Sequence, residues 1–195
     1  MNETFFRRAF FKGKGKMDEK IRTKAQNIKM VGMDVDGVLT PGDIVIMESG
    51  EEIKSWNVKD RMGFNLARRS GNLKFAWISG RGCKQVEKTA EDLKIEAVRL
   101  KRMDKNEALE EILQEFELNR ENFAYIGDDL VDIPVLKRAG LSFCPQDAPE
   151  EVKQVVDYVT KTEGGRGVLR EVVELILKLQ GKWEEATRDY VTNEE

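Results

Sequence analysis

Two aspartates separated by one residue, Asp34 and Asp36, stand where a short apolar run meets a glycine turn in the sequence DVDGVLT. One such side chain can lie beside a bound cation while the other exchanges protons, so the pair indicates a nucleophile and an acid/base. Taken alone, the pattern is also typical of an Asx turn or a calcium loop. The calcium interpretation fails on spacing, because Val38 and Leu39 occupy the positions of a ligand and a required glycine.

Other residues that could bind a ligand also stand next to the ends of apolar runs or at the start of a helical pattern. They are Ser79, Gly80, Arg81, Asp104, Lys105, Asp128, Asp129 and Asp132. Each alone has an ordinary explanation as a helix cap, a turn residue or a solvated lysine. The carboxyl ends of parallel strands meet at one rim of a sheet, where ligands bind in such folds. Together these residues therefore predict one site for a divalent cation and a phosphate group.

The chemistry that these side chains support is phosphoryl transfer. Asp34 can attack phosphorus only if its repulsion from the phosphate is offset, as Mg²⁺ held by Asp34 and Asp128 can do. Lys105 and the Ser79 hydroxyl are expected to hold the phosphoryl oxygens during catalysis. Asp36 is expected to protonate the departing alkoxide and then deprotonate the water that hydrolyses the aspartyl-phosphate.

The elements that must position these residues alternate between short apolar runs and amphipathic helical segments. Strands are predicted at 30–33, 73–78, 97–100, 123–126, 141–144 and 158–160, and helices at 64–69, 84–93, 105–116, 130–138 and 168–179. Strict alternation predicts an α/β fold, a parallel sheet with helices on both faces. Residues 44–58, centred on Ser49 and Gly50, instead predict a small β-hairpin that is too short to form a cap domain.

The length of the chain suits one catalytic domain with two flanking segments. We predict a flexible basic extension at residues 1–28, the catalytic domain at 29–180 and a C-terminal tail at 181–195. Residues 1–29 contain nine Lys/Arg against three Asp/Glu, so the net charge of −3 for the whole chain corresponds to −9 for the remainder. An acidic domain disfavours nucleic acid as a partner.

Several classes of function are excluded by composition. The chain has no histidine, which excludes Ser-His-Asp and Cys-His catalysis and His-ligated zinc or haem. Cys83 and Cys144 form no CxxC pair, so a disulfide framework is not indicated and a reducing cytoplasm fits. No apolar run approaches the roughly 18 residues of a membrane span, and no GxxxxGK[ST] loop is present for a nucleotide switch.

The combination of DVDGVLT, the serine in WISGR, Lys105 and GDDLVD resembles the four motifs of the haloacid dehalogenase (HAD) superfamily from about residue 29 to 179. The resemblance implies a Rossmann-like core with Asp34 as nucleophile, Asp36 as acid/base and Asp128 as metal ligand. It also implies that Asp36 ligates the metal through its backbone carbonyl. Asp129 and Asp132 are expected to support the metal ligands. Phosphate ester hydrolysis is favoured, because the dehalogenases and cation pumps of the superfamily lack the second aspartate.

A narrower resemblance concerns GEEIKSW at the end of the hairpin, GDDLVDIPVLKRAG, DYVT and EGGRGVLRE. These sequences are similar to the capless 3-deoxy-D-manno-octulosonate 8-phosphate phosphatases of lipopolysaccharide synthesis. The resemblance implies a homotetramer in which the hairpins contribute to the oligomer core and a neighbouring subunit helps to close the active site. Residues 164–167 are expected to lie over the substrate as a flexible tail. The expected substrate contacts are Ser79, Gly80, Arg81, Arg61 and Lys54.

Two departures from the family pattern and two alternatives accompany this interpretation. Pro41-Gly42-Asp43 and Arg61 stand where the family commonly has Asp-Gly after Thr40 and a small residue after Asp60. We expect Arg61 either to bind the sugar carboxylate or to narrow the pocket. The alternative substrate is a nine-carbon 2-keto sugar acid phosphate, and the alternative class is a non-catalytic oligomerisation module.

Overall fold

The computed structural model describes residues 19–71 and 73–191 of the chain. Its strands are β1 Met30–Met33, β2 Val45–Ile46, β3 Glu52–Ile53, β4 Lys74–Ile78, β5 Ala97–Arg99, β6 Phe123–Ile126, β7 Leu141–Cys144 and β8 Tyr158–Val159. Its helices are α1 Glu19–Gln26, α2 Val58–Arg69, α3 Lys84–Asp92, α4 Lys105–Glu115, α5 Ile133–Leu136, α6 Glu150–Lys153, α7 Val168–Leu179 and α8 Trp183–Val191. Six strands form a parallel sheet in the order β5-β4-β1-β6-β7-β8, and β2 pairs with β3 in an antiparallel hairpin.

Helices cover both faces of the sheet because side chains alternate along each buried strand. On β4, Phe75 and Trp77 pack into a cluster with residues of α1, α2, α3, α7 and α8. Ala76 and Ile78 point the other way, into a cluster with residues of α4, α5 and α6. The predicted α/β fold is confirmed, and every described element belongs to the sheet, its covering helices, the short turns or the hairpin, with no cap domain.

The N-terminal boundary lies earlier than predicted. Residues 19–26, inside the predicted extension, form α1, and Ile21, Ala25 and Ile28 are buried in the core. The side-chain amide of Gln180 donates to the carbonyls of Ala25 and Ile28 at 2.9 Å and fixes the helix to the end of α7. The basic composition of this stretch concealed the helix, since Ile21 and Ala25 are its two buried residues. The rest of the predicted extension lies outside the described residues.

The predicted C-terminal tail also contains a helix. In α8, Ala186 is buried, and the Trp183 ring lies 5.4 Å from the Arg170 guanidinium and 4.9 Å from the Lys178 ammonium. Cation–π contacts and one small buried residue thus attach α8 to α7. Ala186 is the buried residue of this mostly polar segment, so the sequence pattern alone does not indicate a helix that packs on the core. Residues 192–195 lie outside the described part of the chain.

The hairpin is shorter than predicted, and its apolar side chains are exposed. Its strands pair over two residues each, and the turn at Gly50 has a φ of +83°. The prediction that it extends to residue 58 is wrong, because the Asn57 side chain caps α2, which begins at Val58. Apolar residues that are about half exposed or more are Ile44, Val45, Ile46, Met47 and Ile53.

The segment predicted as one helix at 130–138 is divided into a 3₁₀ turn, Leu130–Asp132, and the short helix α5. Asp129 caps the 3₁₀ turn by accepting a hydrogen bond from the Leu130 N–H at 2.7 Å. Pro134 lies in the first turn of α5, where its missing N–H is tolerated. Local carboxylate hydrogen bonds and proline therefore replace the continuous helix that the apolar spacing suggested.

The glycine-rich connection between β8 and α7 packs on the loop that follows β1. The Gly165 N–H donates to the Val38 carbonyl at 2.9 Å. A side chain at Gly164 would lie 2.1 Å from the carbonyl oxygen of Gly37, and one at Gly165 would lie 2.3 Å from the nitrogen of Pro41. The expectation of a flexible tail is therefore wrong for this segment, whose glycines permit close contact between two backbones.

None of the helices in the part of the chain that the structure describes has the length and apolar character needed to cross a membrane.

We expect Gly165→Ala to lower the stability of the protein more than Gly71→Ala does. Both residues have a positive φ, +63° and +65°, but a side chain at Gly71 would meet nothing within 4 Å. Both variants lose about 1 kcal/mol from the backbone conformation, and Gly165→Ala loses roughly 1–3 kcal/mol more from overpacking. Thermal and urea unfolding measure the difference in stability. Equal losses of stability in the two variants would contradict the close backbone contact at Gly165.

Candidate active site

The carboxyl ends of three adjacent strands meet at the candidate site. β1 lies between β4 and β6, with Met33 in register with Trp77 on one side and Ile126 on the other. The N–H of Asp34 extends this pairing by donating to the Ile126 carbonyl at 3.0 Å. The residues that follow these strands therefore share one rim, as predicted.

Asp34 is almost buried, with 8% of its surface exposed. Its Oδ1 accepts from the Val35 N–H at 2.6 Å, and its Oδ2 accepts from Lys105 Nζ at 2.5 Å. Burial raises the pKa of Asp34 to about 6, although the Lys105 ammonium opposes the rise. These contacts fix the orientation of both carboxylate oxygens, which favours attack on a phosphorus atom from one direction.

Lys105 is the first residue of α4, and its ammonium lies between two carboxylates. Nζ is 2.5 Å from Asp34 Oδ2 and 2.7 Å from Asp132 Oδ1. Burial favours the neutral amine, but the two carboxylates outweigh it and raise the pKa of Lys105. Asp104 caps α4 by accepting from the Asn106 N–H at 2.9 Å, so the helix starts where Lys105 can enter the site.

Asp132 holds this lysine in place. Its Oδ1 also accepts from the Tyr125 hydroxyl at 2.8 Å, and its Oδ2 accepts from the Asp128 and Asp129 N–H groups at 3.1 and 3.4 Å. Asp132 is fully buried with both oxygens hydrogen-bonded. It therefore orients Lys105 and the backbone at Asp128, and its support of a metal ligand stays a prediction.

The surroundings of Asp128 are the clearest indication of a metal site. Carboxylate oxygens of Asp34, Asp128 and Asp132 lie within 4.8 Å of one another, and Asp128 Oδ1 is buried with no hydrogen-bond partner among the described residues. Burial, together with the nearby Asp34 and Asp132 carboxylates, raises the pKa of Asp128 to about 8. A cation that prefers oxygen ligands would bind the unpartnered Asp128 Oδ1 and offset the repulsion among the three carboxylates. These residues fit Mg²⁺, and Asp34 and Asp128 are the acids that would hold it.

Gly37 lies in the loop after β1, where it packs directly against the Asp128 side chain and no larger residue would fit. A side chain at Gly37 would lie 2.0 Å from Asp128 Oδ2, and the φ of Gly37 is +85°. The glycine in DVDGVLT therefore serves both the turn and the approach of the second acid.

Asp36 lies apart from this acid cluster and contacts the hairpin. Its Oδ1 accepts from Lys54 Nζ at 2.5 Å and from the Thr40 hydroxyl at 3.5 Å. Arg81 Nε is 4.0 Å from Asp36 Oδ2, and Arg81 Nη2 donates to Glu52 at 2.6 Å. The proposed acid/base is thus surrounded by cations, and its side chain is separate from the acids that would hold the metal. The predicted metal contact of Asp36 is through its carbonyl oxygen.

The Ser79–Gly80 turn is fixed by its neighbours. The Ser79 N–H donates to the Arg99 carbonyl at 2.9 Å, and the Arg102 N–H donates to the Ser79 carbonyl at 3.0 Å. Ser79 is buried, and its hydroxyl oxygen accepts from the Arg81 N–H at 3.2 Å. The hydroxyl proton remains available for an anionic ligand, as a phosphate-binding role requires.

Two predicted residues do not reach the cluster. Arg61 is exposed on α2 and lines a small groove with Trp56, Thr89 and Leu93. Asp129 is exposed, and its side chain bonds the turn that it caps. The role of Arg61 at the substrate stays a prediction, and Asp129 supports the loop.

Two residues of the site were missed from the sequence. Tyr125 lies in the predicted strand at 123–126, and nothing in its local pattern shows that its hydroxyl meets Asp132. Glu52 belongs to the GEEIKSW segment, and its position two residues before Lys54 on a strand could have indicated that both side chains face the same way.

Comparison with known proteins agrees with this geometry. A family model described as haloacid dehalogenase-like hydrolase matches residues 98–172. The 3-deoxy-D-manno-octulosonate 8-phosphate phosphatase of Salmonella typhi is 41% identical over 172 residues, which cover 88% of this chain and 91% of the relative.

Two solved structures of such phosphatases are similar over most of their length. The one from Yersinia pestis has a TM-score of 0.83 and 39% identity, and the match covers 87% of this chain and 91% of the other. The one from Moraxella catarrhalis, in complex with a magnesium ion, a phosphate ion and KDO, has a TM-score of 0.86 and 34% identity, covering 89% and 99%. By sequence and fold, the chain belongs to the 3-deoxy-D-manno-octulosonate 8-phosphate phosphatase family of haloacid dehalogenase-like hydrolases.

Proposed function

We propose that this protein is a Mg²⁺-dependent phosphatase that hydrolyses 3-deoxy-D-manno-octulosonate 8-phosphate to 3-deoxy-D-manno-octulosonate and phosphate. The observation that carries the proposal is the fixed Asp34 carboxylate beside Lys105 and the unpartnered oxygen of Asp128. Membership of the family supports the substrate, and the Moraxella relative binds magnesium, phosphate and KDO together. We further propose that the reaction takes place in the cytoplasm and serves lipopolysaccharide synthesis.

The reaction proceeds in two displacements at phosphorus. In the first, an oxygen of Asp34 attacks, the bond from phosphorus to the sugar oxygen breaks, and Asp36 gives its proton to that oxygen. In the second, water attacks the aspartyl-phosphate, Asp36 takes a proton from the water, and Asp34 and phosphate are released. Lys105 and Ser79 stabilise the phosphoryl oxygens in both steps. Bound Mg²⁺ supplies the positive charge that lets an anionic nucleophile approach an anionic substrate.

Substrate recognition is assigned to the rim around Asp36. Gly80 has no side chain, so the backbone of the Ser79–Gly80 turn would be open to a phosphate group, and Arg81 provides a guanidinium directly after it. Lys54 contributes a positive charge beside Asp36, at 2.5 Å from its carboxylate. Because Arg81 is half-exposed at the entrance, it is the residue best placed for the carboxylate of the sugar acid.

Assembly through the hairpin is part of the proposal. A two-stranded hairpin is not stable alone, and its exposed side chains, such as Ile46 at 64%, form an apolar surface. Burial of this surface in a homotetramer would bring neighbouring subunits toward the uncapped rim. The acidic charge of the described domain makes nucleic acid an unsuitable partner.

Phosphate-release assays with the purified protein and Mg²⁺ test the reaction. We expect kcat/KM to be higher for 3-deoxy-D-manno-octulosonate 8-phosphate than for the nine-carbon 2-keto sugar acid phosphate. Asp34→Asn is expected to lower kcat at least about a thousandfold while the fold is retained, because the nucleophile is lost.

The matched control for this variant is Asp92→Asn, an exposed carboxylate at the end of α3. It is expected to retain wild-type kcat. Turnover by Asp34→Asn would refute the covalent mechanism. Failure of the wild type to hydrolyse any phosphomonoester would instead support the non-catalytic oligomerisation module.

We expect the affinity for Mg²⁺ to fall as the pH is lowered. In the metal-free protein the pKa of Asp128 is about 8, so below this pH a proton must leave before the carboxylate can bind the ion. The expected loss is up to about tenfold per pH unit between pH 8 and 6. Titration calorimetry at pH 6.5 and 8.5 measures it, and Asp128→Asn should bind weakly at both. An affinity of the wild type that does not change with pH would contradict the prediction.

We expect Ile46→Glu to reduce the mass of the assembly, because it places a charge in the proposed hairpin interface. Size-exclusion chromatography with light scattering measures the mass. Val191→Glu, which changes an exposed apolar residue of α8, is the control and should retain the tetramer. Equal masses for wild type and Ile46→Glu would oppose assembly through the hairpin.

A further inference from the structure

Four charged side chains connect the hairpin to the rim of the site, with anions and cations in alternation. Lys54 Nζ lies 2.5 Å from Asp36 Oδ1 and 3.5 Å from Glu52 Oε2. Arg81 Nη2 lies 2.6 Å from Glu52 Oε1, and its Nε lies 4.0 Å from Asp36 Oδ2. Glu52 therefore uses its two oxygens on two different cations, both of which also face Asp36.

The contacts in this cluster differ in their exposure to water. The Lys54 side chain is 2% exposed, so its contact with Asp36 is enclosed. Arg81 is 49% exposed and Glu52 is 22% exposed, so their ion pair lies at the mouth of the site. Solvent-exposed ion pairs are weak, so an incoming anion can replace Glu52 at Arg81.

On the basis of the function proposed above, we propose that Glu52 is a specificity-determining residue that occupies Arg81 until the carboxylate of the substrate replaces it. Glu52 then retains Lys54 as its remaining partner. The 3.5 Å between Lys54 Nζ and Glu52 Oε2 is short enough for the ammonium to move toward Glu52 and away from Asp36.

The replacement of Glu52 at Arg81 connects recognition of the substrate carboxylate to proton transfer by Asp36. In the arrangement described, Lys54 occupies Oδ1 of Asp36, the side chain that must exchange a proton with the leaving oxygen. A substrate with a second anionic group releases Asp36 from Lys54 by taking Arg81. A phosphate ester with a neutral tail leaves the four charges in place and is hydrolysed slowly.

The test compares Glu52→Gln with the wild type on 3-deoxy-D-manno-octulosonate 8-phosphate and on p-nitrophenyl phosphate, which has no carboxylate. With the sugar acid phosphate we expect Glu52→Gln to lower KM several-fold, because Arg81 is no longer occupied. We expect kcat to fall roughly tenfold or more, because Lys54 stays on Asp36. With p-nitrophenyl phosphate both constants should stay within about twofold of the wild type.

Glu51→Gln is the matched control, since it removes the same charge from the adjacent, exposed position of the hairpin. It should behave as the wild type on both substrates. Three results would overturn the assignment of Glu52: a higher KM for Glu52→Gln, equal effects on the two substrates, or no effect in a folded variant. In each case turnover of the sugar acid phosphate by the wild type would still support the proposed reaction. A wild type that leaves the sugar acid phosphate intact would reject the proposed function and this role of Glu52 with it.

Discussion

The ammonium of Lys105 lies between the carboxylates of Asp34 and Asp132, at 2.5 and 2.7 Å, and the geometry of the site depends on this balance of charge. With Asp128 added, three acids face one lysine in a buried space. When all three acids are ionised, two negative charges remain uncompensated, which matches the charge of a divalent cation. Without Lys105, the fixed nucleophile and the buried support would repel each other in a medium that screens charge poorly. The lysine therefore permits the site to form before the ion is bound.

The site has an inner and an outer part, and different elements build them. Asp34 follows the end of β1, Asp128 follows the end of β6, and Lys105 is the first residue of α4. The packed sheet and its helix therefore set the positions of the inner groups. The outer charges at Asp36 include Lys54 and Glu52 from the hairpin, which has few contacts of its own. Rigid elements thus hold the groups that act on phosphorus, while a small insertion brings the groups that respond to the rest of the ligand.

The sequence predicted the fold well, and the same strand ends and helix starts explain why Asp34, Lys105 and Asp128 lie close together. It predicted poorly the side-chain contacts that depend on the tertiary structure. The hydroxyl of Tyr125 and the carboxylate of Glu52 acquire their roles only from partners that the fold brings near. Similarly, α1 and α8 carry few buried residues and are held by hydrogen bonds and cation–π contacts with other segments, which the local sequence does not show.

The backbone contact of Gly165 with Val38 also bears on the order in which the protein is synthesised. The loop that carries Asp36 is among the first parts of the domain to be translated, whereas the connection that packs on it is among the last. On the ribosome, the chain cannot complete this loop until Gly165 has left the exit tunnel. Nascent chains therefore carry Asp34 and Asp36 before this loop has its backbone partner, and the packing described at the loop forms only after the connection to α7 has been made.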